Sequence, residues 1–187
     1  MQTYADYLIV ISPPGNIMKE ISRYKQISIN TVGHFEGMYS SGQMIITHQI
    51  RCKPYLVQPA IEQMVNRLGT MPPIELHING FSFFNHGHAA KTIYAVIERT
   101  DRTDNWFKLL QKQMGIRLKG FVPHIIIAKN LPIPCFNKLW PNFDGRPWSE
   151  TFMVNHLTIF HRDTFVEYCE WRVYTELFFA NRLKEMF

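Results

Sequence analysis

The sequence lacks the features that mark several large classes of protein. Its 187 residues include three cysteines, Cys52, Cys135 and Cys169, an odd number at wide spacings that indicates neither a disulfide framework nor a zinc site. No apolar run approaches the roughly 20 residues that a membrane-spanning helix needs. The first apolar stretch has no basic segment before it, unlike a secretory signal peptide. We therefore expect a cytoplasmic protein without a membrane partner.

Sequence signals for nucleotide and nucleic-acid binding are also scarce. No glycine-rich phosphate loop follows the first apolar run, and no run of Lys and Arg is long enough to form a nucleic-acid-binding tail. The formal net charge is nevertheless +5. A basic balance favours an anionic partner such as a phosphate ester or RNA, although an ordinary solvated surface explains the same charge.

The chain does contain short β-branched runs that alternate with segments of helical periodicity. The pattern predicts strands at 7–12, 44–50, 74–84, 92–98, 121–128, 152–160 and 169–179, and helices at 17–24, 58–68, 105–114 and 136–140. Asp104 is the predicted N-cap of the helix at 105–114, and Gly80 is a predicted bulge. Hairpins between the alternating units favour an α+β fold with antiparallel sheets over a doubly wound parallel sheet.

Two segments of the chain, 48–53 and 124–129, resemble each other. Each begins with a histidine, His48 or His124, and has isoleucine two residues later and lysine five residues later. Residues two apart on a strand share a face, so each histidine shares a face with its isoleucine. If a pseudo-twofold axis relates two lobes, we expect both imidazoles over one groove.

Two histidines over one groove suit the hydrolysis of a cyclic phosphodiester. A neutral imidazole takes a proton from water and a protonated imidazole gives one to the leaving oxygen, since a pKa near roughly 6.5 makes both states accessible. Each positioned proton transfer typically contributes about 10²–10⁴ in rate. This chemistry needs no metal or other cofactor, and the sequence does not say which histidine is the base.

The chain resembles the 2H phosphoesterase superfamily, which includes the 2′-5′ RNA ligase-like proteins and RNA 2′,3′-cyclic phosphodiesterases. Members carry a His-x-Thr/Ser tetrapeptide on a strand in each of two lobes. The segment FVPHIIIA at 121–128 resembles the second tetrapeptide and its surroundings, and THQI at 47–50 resembles the first more loosely. The resemblance implies one two-lobed domain over residues 1–187, a central cleft, and His48 and His124 as catalytic residues.

The resemblance also implies a partner, an RNA end or a small nucleotide phosphoester. The sequence does not give the oligomeric state, for which a monomer is the default. Nearby cations, Arg51, Lys53 and Lys129, are candidate phosphate-binding residues. They stand at odd offsets from the histidines and therefore reach the same face only at a strand end or a bulge.

The sequence departs from the family pattern at both hydroxyl positions. In the family this hydroxyl hydrogen-bonds the phosphate, but Ile50 and Ile126 have nothing to donate. A hydrogen bond to a charged group contributes roughly 1.5–3 kcal/mol. The leading hypothesis is a metal-independent cyclic phosphodiesterase. The alternatives are a cleft that binds a phosphorylated ligand or RNA without turnover and, on the weaker ground of the family name, an RNA end-joining enzyme.

Other residues compete for a functional role. The literal His-x-Thr at 156–158 lies in an apolar context that indicates a structural strand. His86 and His88 stand in a turn without a carboxylate, which favours exposed side chains over metal ligands. Cys52 is expected to be a buried structural thiol. An aromatic group either stacks a nucleobase or packs beneath a long loop: Phe136, Trp140, Phe143 and Trp148.

Overall fold

A computed structural model describes residues 4–181 of the chain. Two sheets and their covering helices form the fold. Its elements in chain order are β1 (Ala5–Ile11), α1 (Gly15–Val32), β2 (Met44–Cys52), α2 (Pro54–Leu68), β3 (Ile74–His86), β4 (Ala90–Ile97), α3 (Asp101–Met114), β5 (His124–Pro132), α4 (Ile133–Leu139), β6 (Ser149–Val154), β7 (His156–Asp163) and β8 (Arg172–Phe178). Short 3-10 turns occupy Glu36–Tyr39 and Trp140–Asn142.

All strand pairs are antiparallel within two four-stranded sheets. Sheet A has the order β2-β1-β7-β8, and sheet B has the order β5-β4-β3-β6. The predicted α+β class with antiparallel sheets is confirmed. Among residues 4–181, no helix combines the length and the apolar character needed to cross a bilayer.

An internal repeat relates the two sheets. The units β1-α1-β2-α2 and β4-α3-β5-α4 each place an edge strand beside an inner strand through a helical connection. The edge strands β2 and β5 belong to different sheets, and Cα atoms of the two strands approach within 8 Å. The two lobes therefore meet along these edges.

Alternation along the inner strands decides which face the helices cover. On β1, Tyr7 and Ile9 belong to the main hydrophobic cluster, whereas Leu8 points to the opposite face. On β5, Ile125 belongs to the cluster and His124 points to the opposite face. We call these opposite faces of sheets A and B, along the line where β2 and β5 meet, the cleft.

Helices cover the other faces. Tyr24 of α1 packs against Phe81 on β3 of sheet B and against Trp148 just before β6, with ring centroids 4.7 and 5.0 Å away. Trp106 of α3 packs against Phe179, just after β8 of sheet A, at 5.2 Å. Fully burying such a side chain contributes about 1.5–3 kcal/mol. The helix-covered faces therefore hold the core and leave the cleft open.

The segment 152–160 was predicted as one strand, and this prediction is wrong. β6 ends at Val154 in sheet B, and β7 begins at His156 in sheet A. The apolar residues of the segment continue from β6 into β7, where Leu157, Thr158 and Ile159 are all buried, so the sequence pattern does not reveal that the chain crosses between sheets at Asn155. The bulge predicted at Gly80 is confirmed by a register shift and by its positive φ of 68°.

The predicted N-cap of α3 is also wrong. The helix begins at Asp101, and its N-cap is Thr100, whose hydroxyl accepts a hydrogen bond from the backbone N–H of Thr103. Asp104 lies inside the first turn and accepts two hydrogen bonds from Arg99, both 2.9 Å long. Thr and Asp are both common N-cap residues, and in α3 the cap is Thr100, which directly precedes the first helical residue.

A close backbone contact holds the connection before β2 against β5. Gly37 lies in the 3-10 turn Glu36–Tyr39, and a Cβ on it would stand 1.7 Å from the carbonyl oxygen of Lys129. Such a separation is far inside van der Waals contact, and the obstacle is backbone. The turn therefore fits beside β5 only because residue 37 has no side chain.

We expect Gly37→Ala to lower the free energy of unfolding by about 1–3 kcal/mol, since the added methyl group forces the turn away from β5. Urea denaturation measures the change. Gly15→Ala is the matched control, because a Cβ at Gly15 meets nothing within 4 Å. Equal stability of the two variants would show that the turn does not depend on this contact.

Candidate functional site

A buried carboxylate organises the cleft side of sheet A. Asp6 on β1 is 3% exposed. It accepts hydrogen bonds from the backbone N–H of Arg51 (2.9 Å), the hydroxyl of Thr164 (2.8 Å) and the Nε of Arg162 (3.1 Å). Burial alone would raise the pKa of Asp6, but these hydrogen bonds hold it below its ordinary value. The ionised carboxylate therefore ties β2 and the β7–β8 connection to β1.

His48 lies exposed on the cleft face of β2, opposite Leu8 of β1. Its ring meets the ring of Trp171 edge-on, with centroids 5.6 Å apart. The guanidinium of Arg162 lies over the ring of Trp171, 4.6 Å from its centroid. Asp6 thus positions His48 indirectly, through Arg162 and then Trp171.

His124 begins β5 and is half-buried on the cleft face of sheet B. Its Nδ1 donates to the carbonyl oxygen of Val122 at 2.6 Å. This bond places the proton on Nδ1 and leaves the Nε2 lone pair available. The rings of Phe84 and Tyr94 flank the imidazole, with centroids 4.9 and 5.3 Å away.

Burial in this aromatic setting lowers the pKa of His124 from its ordinary value, and the bond to Val122 offsets only part of the effect. At neutral pH the imidazole is therefore uncharged, with its Nε2 ready to accept a proton. A neutral, oriented imidazole of this kind is what a general base requires.

The strand registers show that the two histidines do not occupy equivalent positions in the repeat. His124 lies opposite Val96, the second-last residue of β4. The second-last residue of β1 is Val10, and it lies opposite Ile45. The structural counterpart of His124 in the first repeat is therefore Ile45.

His48 corresponds instead to Ile126. His48 lies opposite Leu8, two residues before Val10 on β1. Ile126 lies opposite Tyr94, two residues before Val96 on β4. A shift of two residues along a strand is about 7 Å. The equivalence inferred from the sequence echo is wrong, although both histidines face the cleft.

Bulges explain why the echo misleads. Near their ends, β2 and β5 each carry a residue with a φ of 53°, Arg51 and Asn130. The N–H of Asn130 donates to the Thr92 hydroxyl at 3.0 Å, as the N–H of Arg51 donates to Asp6. The two bulges are thus equivalent, yet His48 stands three residues before one and His124 six residues before the other.

The other predicted site residues are dispersed. Ile50 is 61% exposed and Ile126 is half-buried, both without a hydrogen-bonding side chain. Arg51 and Lys53 line a cavity beneath α2, beside residues of the helix-covered face. Lys129 is exposed next to the β5 bulge. The positions of Arg51 and Lys53 disfavour phosphate binding beside His48.

The competing histidines lie elsewhere. His156 contacts Asn155, Glu176 and Phe178 at the β7–β8 side of sheet A. His86, in the hairpin between β3 and β4, contacts the Thr92 hydroxyl through Nε2 at 2.8 Å. In the part of the chain that the structure describes, no three His, Cys, Asp or Glu side chains are grouped to hold a metal ion.

The aromatic residues nearest the histidines are not those that the sequence suggested. Phe143 and Trp148 are buried with Tyr24 beneath sheet B, where they pack rather than offer a stacking surface. Sequence reasoning missed Trp171 and Arg162 because only tertiary folding brings the β7–β8 connection, which holds Trp171, to β2 and the end of β7, which holds Arg162, to Trp171. Tyr94 had a weak signal, its alternation with core residues along β4.

No family model and no curated protein matches the sequence. Solved structures do match. E. coli LigT complexed with phosphate is 10% identical, with a TM-score of 0.63, over 95% of this chain and 99% of that chain. The chain has the LigT fold. TT0787 of Thermus thermophilus is 13% identical, with a TM-score of 0.62, over 94% and 98% of the two chains.

A third solved structure is that of a phosphoesterase. It is 10% identical, with a TM-score of 0.63, over 94% of this chain and 98% of that chain. LigT itself has also been crystallised with 3′-AMP, ATP and NADP+. At these identities the likeness establishes the two-lobed fold of this chain.

We expect Asp6→Asn to lower the free energy of unfolding at neutral pH by about 2 kcal/mol, because the charge-assisted hydrogen bonds are weakened. The folded-state pKa of Asp6 lies below its unfolded value, so its contribution is complete above pH 3.8 and is lost as pH falls through the folded pKa. Urea denaturation at pH 7 and pH 3 should show the difference between variant and wild type narrowing in acid.

Asp163→Asn is the control for this prediction, since Asp163 is an exposed carboxylate on β7. Its substitution should change the free energy of unfolding by less than about 0.5 kcal/mol. A loss as large as that of Asp6→Asn would mean that general surface charge, not the Asp6 network, stabilises sheet A.

Proposed function

We propose that the cleft binds a nucleotide or RNA-end phosphate ester and hydrolyses 2′,3′-cyclic phosphates, with His124 as the general base and His48 as the general acid. The observation that carries this proposal is the state of His124. Its Nδ1–H is bound to Val122, its pKa is lowered, and its Nε2 is free to take a proton.

The proposed reaction needs two proton transfers. Nε2 of His124 takes a proton from water as the water oxygen attacks phosphorus. The bond from phosphorus to one ribose oxygen breaks, and His48 gives that oxygen a proton. His48 suits this role because it is exposed on the facing lobe and β2 approaches β5 within 8 Å. No step requires a metal.

The structural relatives support the choice of ligand class. LigT has been crystallised with phosphate and with 3′-AMP. This chain shares the LigT fold and carries a net charge of +5, which favours an anionic ligand. We extend the nucleotide class to this chain on those two grounds.

A second candidate function is binding of the same ligand without turnover. Ile45 stands at the counterpart of His124, so the repeat does not supply a symmetric histidine pair. Ile50 and Ile126 add no hydroxyl to hold a phosphate. A cleft with one well-placed histidine retains an apolar and aromatic surface for a nucleoside but loses part of the catalytic apparatus.

The first test is turnover of a 2′,3′-cyclic nucleotide in the presence of EDTA. His124→Ala should lower kcat at least 10²-fold, because it removes the general base. The acid limb of the wild-type pH–rate profile should lie below pH 6.5, following the lowered pKa of His124. His156→Ala is the control and should leave kcat unchanged. Unaltered kcat in His124→Ala would exclude the proposed base.

The second test restores the missing hydroxyl. Ile126→Thr should raise kcat/KM at least tenfold, since a hydrogen bond to a charged phosphate contributes roughly 1.5–3 kcal/mol. Ile126→Val is the matched control, because valine has the shape of threonine but lacks its hydroxyl. Equal rates for the two variants would argue against a phosphate at residue 126.

Calorimetric titration with 3′-AMP separates the two candidate functions. Binding by wild type, together with no turnover in wild type or in Ile126→Thr, would favour the non-catalytic cleft. Turnover that depends on His124 and His48 would favour the phosphodiesterase. Absence of both binding and turnover would contradict both candidates.

A further inference from the structure

A cavity of about 480 Å³ lies between α2 and the helix-covered face of sheet A. It is separate from the cleft, because Tyr7 and Gln49, which line it, pair with each other on the face of β1 and β2 opposite Leu8 and His48. Its size lies within the roughly 300–1,000 Å³ typical of small-molecule pockets.

The inner wall of this cavity is aliphatic. Side chains from sheet A, α2 and α3 contribute to it: Ile9, Ile159, Val57, Ile61, Met64 and Met114. Burial raises the pKa of Tyr7 and of the Cys52 thiol, so both groups stay uncharged at neutral pH. The interior thus offers an apolar surface without a fixed charge.

The charged lining residues have one sign. Arg51, Lys53 and Arg67 line the cavity, and all three are at least partly exposed to solvent. Of the described residues, no aspartate or glutamate lines it. Arg51 is brought there by the β2 bulge, whose N–H is fixed by Asp6. Arg51 and Lys53 lie at the start of α2, whereas Arg67 lies in its last turn, about 20 Å away along the helix. An anionic group at the mouth beside the start of α2 would therefore meet two cations.

The helix above the cavity is lightly anchored. Only Ile61 and Leu68 of α2 are buried, whereas Leu56 of the cavity wall is 61% exposed. Met64 is flexible and adapts to an irregular apolar partner. A guest chain that packed beneath α2 would cover apolar surface that the protein itself leaves open.

We propose that this cavity binds an anionic amphiphile of the fatty-acid class, with its chain between α2 and sheet A and its carboxylate beside Arg51 and Lys53 at the start of α2. The charge of the mouth selects the anion, and the aliphatic wall selects a hydrocarbon chain over a nucleobase, whose polar edges would lose their hydrogen bonds there. This site is independent of the histidine cleft.

The test is calorimetric titration with dodecanoate below its micellar concentration. We expect one-to-one binding, and at least tenfold weaker binding of dodecyltrimethylammonium, which has the same chain and the opposite charge. Ala60→Trp places a large side chain at an exposed helix position that lines the cavity and should abolish binding. A thermal melt of this variant establishes that it remains folded.

A charge variant tests the mouth. Lys53→Gln should weaken dodecanoate binding at least threefold, whereas Arg102→Gln, at an exposed arginine of α3 that does not line the cavity, should leave it unchanged. His124→Ala should also bind dodecanoate normally, which separates this site from the cleft. Absence of dodecanoate binding, undiminished binding by folded Ala60→Trp, or competition by 3′-AMP would overturn the proposal.

Discussion

The buried carboxylate of Asp6 connects both candidate sites of this protein. A buried charge is costly unless hydrogen bonds compensate it. The groups that donate to Asp6 must therefore keep their positions beside its carboxylate. Through Arg162 it supports Trp171 and, beyond it, His48 in the cleft. Through the backbone N–H of Arg51 it fixes the β2 bulge and brings that arginine to the cavity.

In the second repeat, a neutral group accepts the hydrogen bond from the N–H of the bulge. Thr92 accepts the N–H of Asn130, where β1 uses a carboxylate, and it also contacts His86. No carboxylate contributes to the pKa of His124, which is set by burial and by the bond to Val122. A nearby carboxylate would favour the protonated imidazole. The lowered pKa of His124 is therefore compatible with a histidine that accepts a proton.

The sequence predicted the α+β class and the approximate position of most strands, because alternation and helical periodicity are local properties. It did not predict the crossing at Asn155, where one continuous apolar pattern serves two sheets. It also made His48 and His124 equivalent, because each histidine has Ile two residues later and Lys five residues later. This identical spacing hides the fact that the bulge follows His48 by three residues and His124 by six. Bulges and the contact of Trp171 with His48 depend on neighbouring strands and are not written into a short segment.

β2 shows why a small register change matters so much in this fold. His48 faces the cleft and the adjacent Gln49 faces the cavity, so one strand supplies side chains to two unrelated surfaces. A slip of one residue would exchange the two sets. The bulge at Arg51 opposes such a slip, because a slip would take away the N–H that this left-handed residue donates to the Asp6 carboxylate. The register of β2 against β1, and with it the position of His48 on the cleft face, therefore depends in part on one hydrogen bond at the end of the strand.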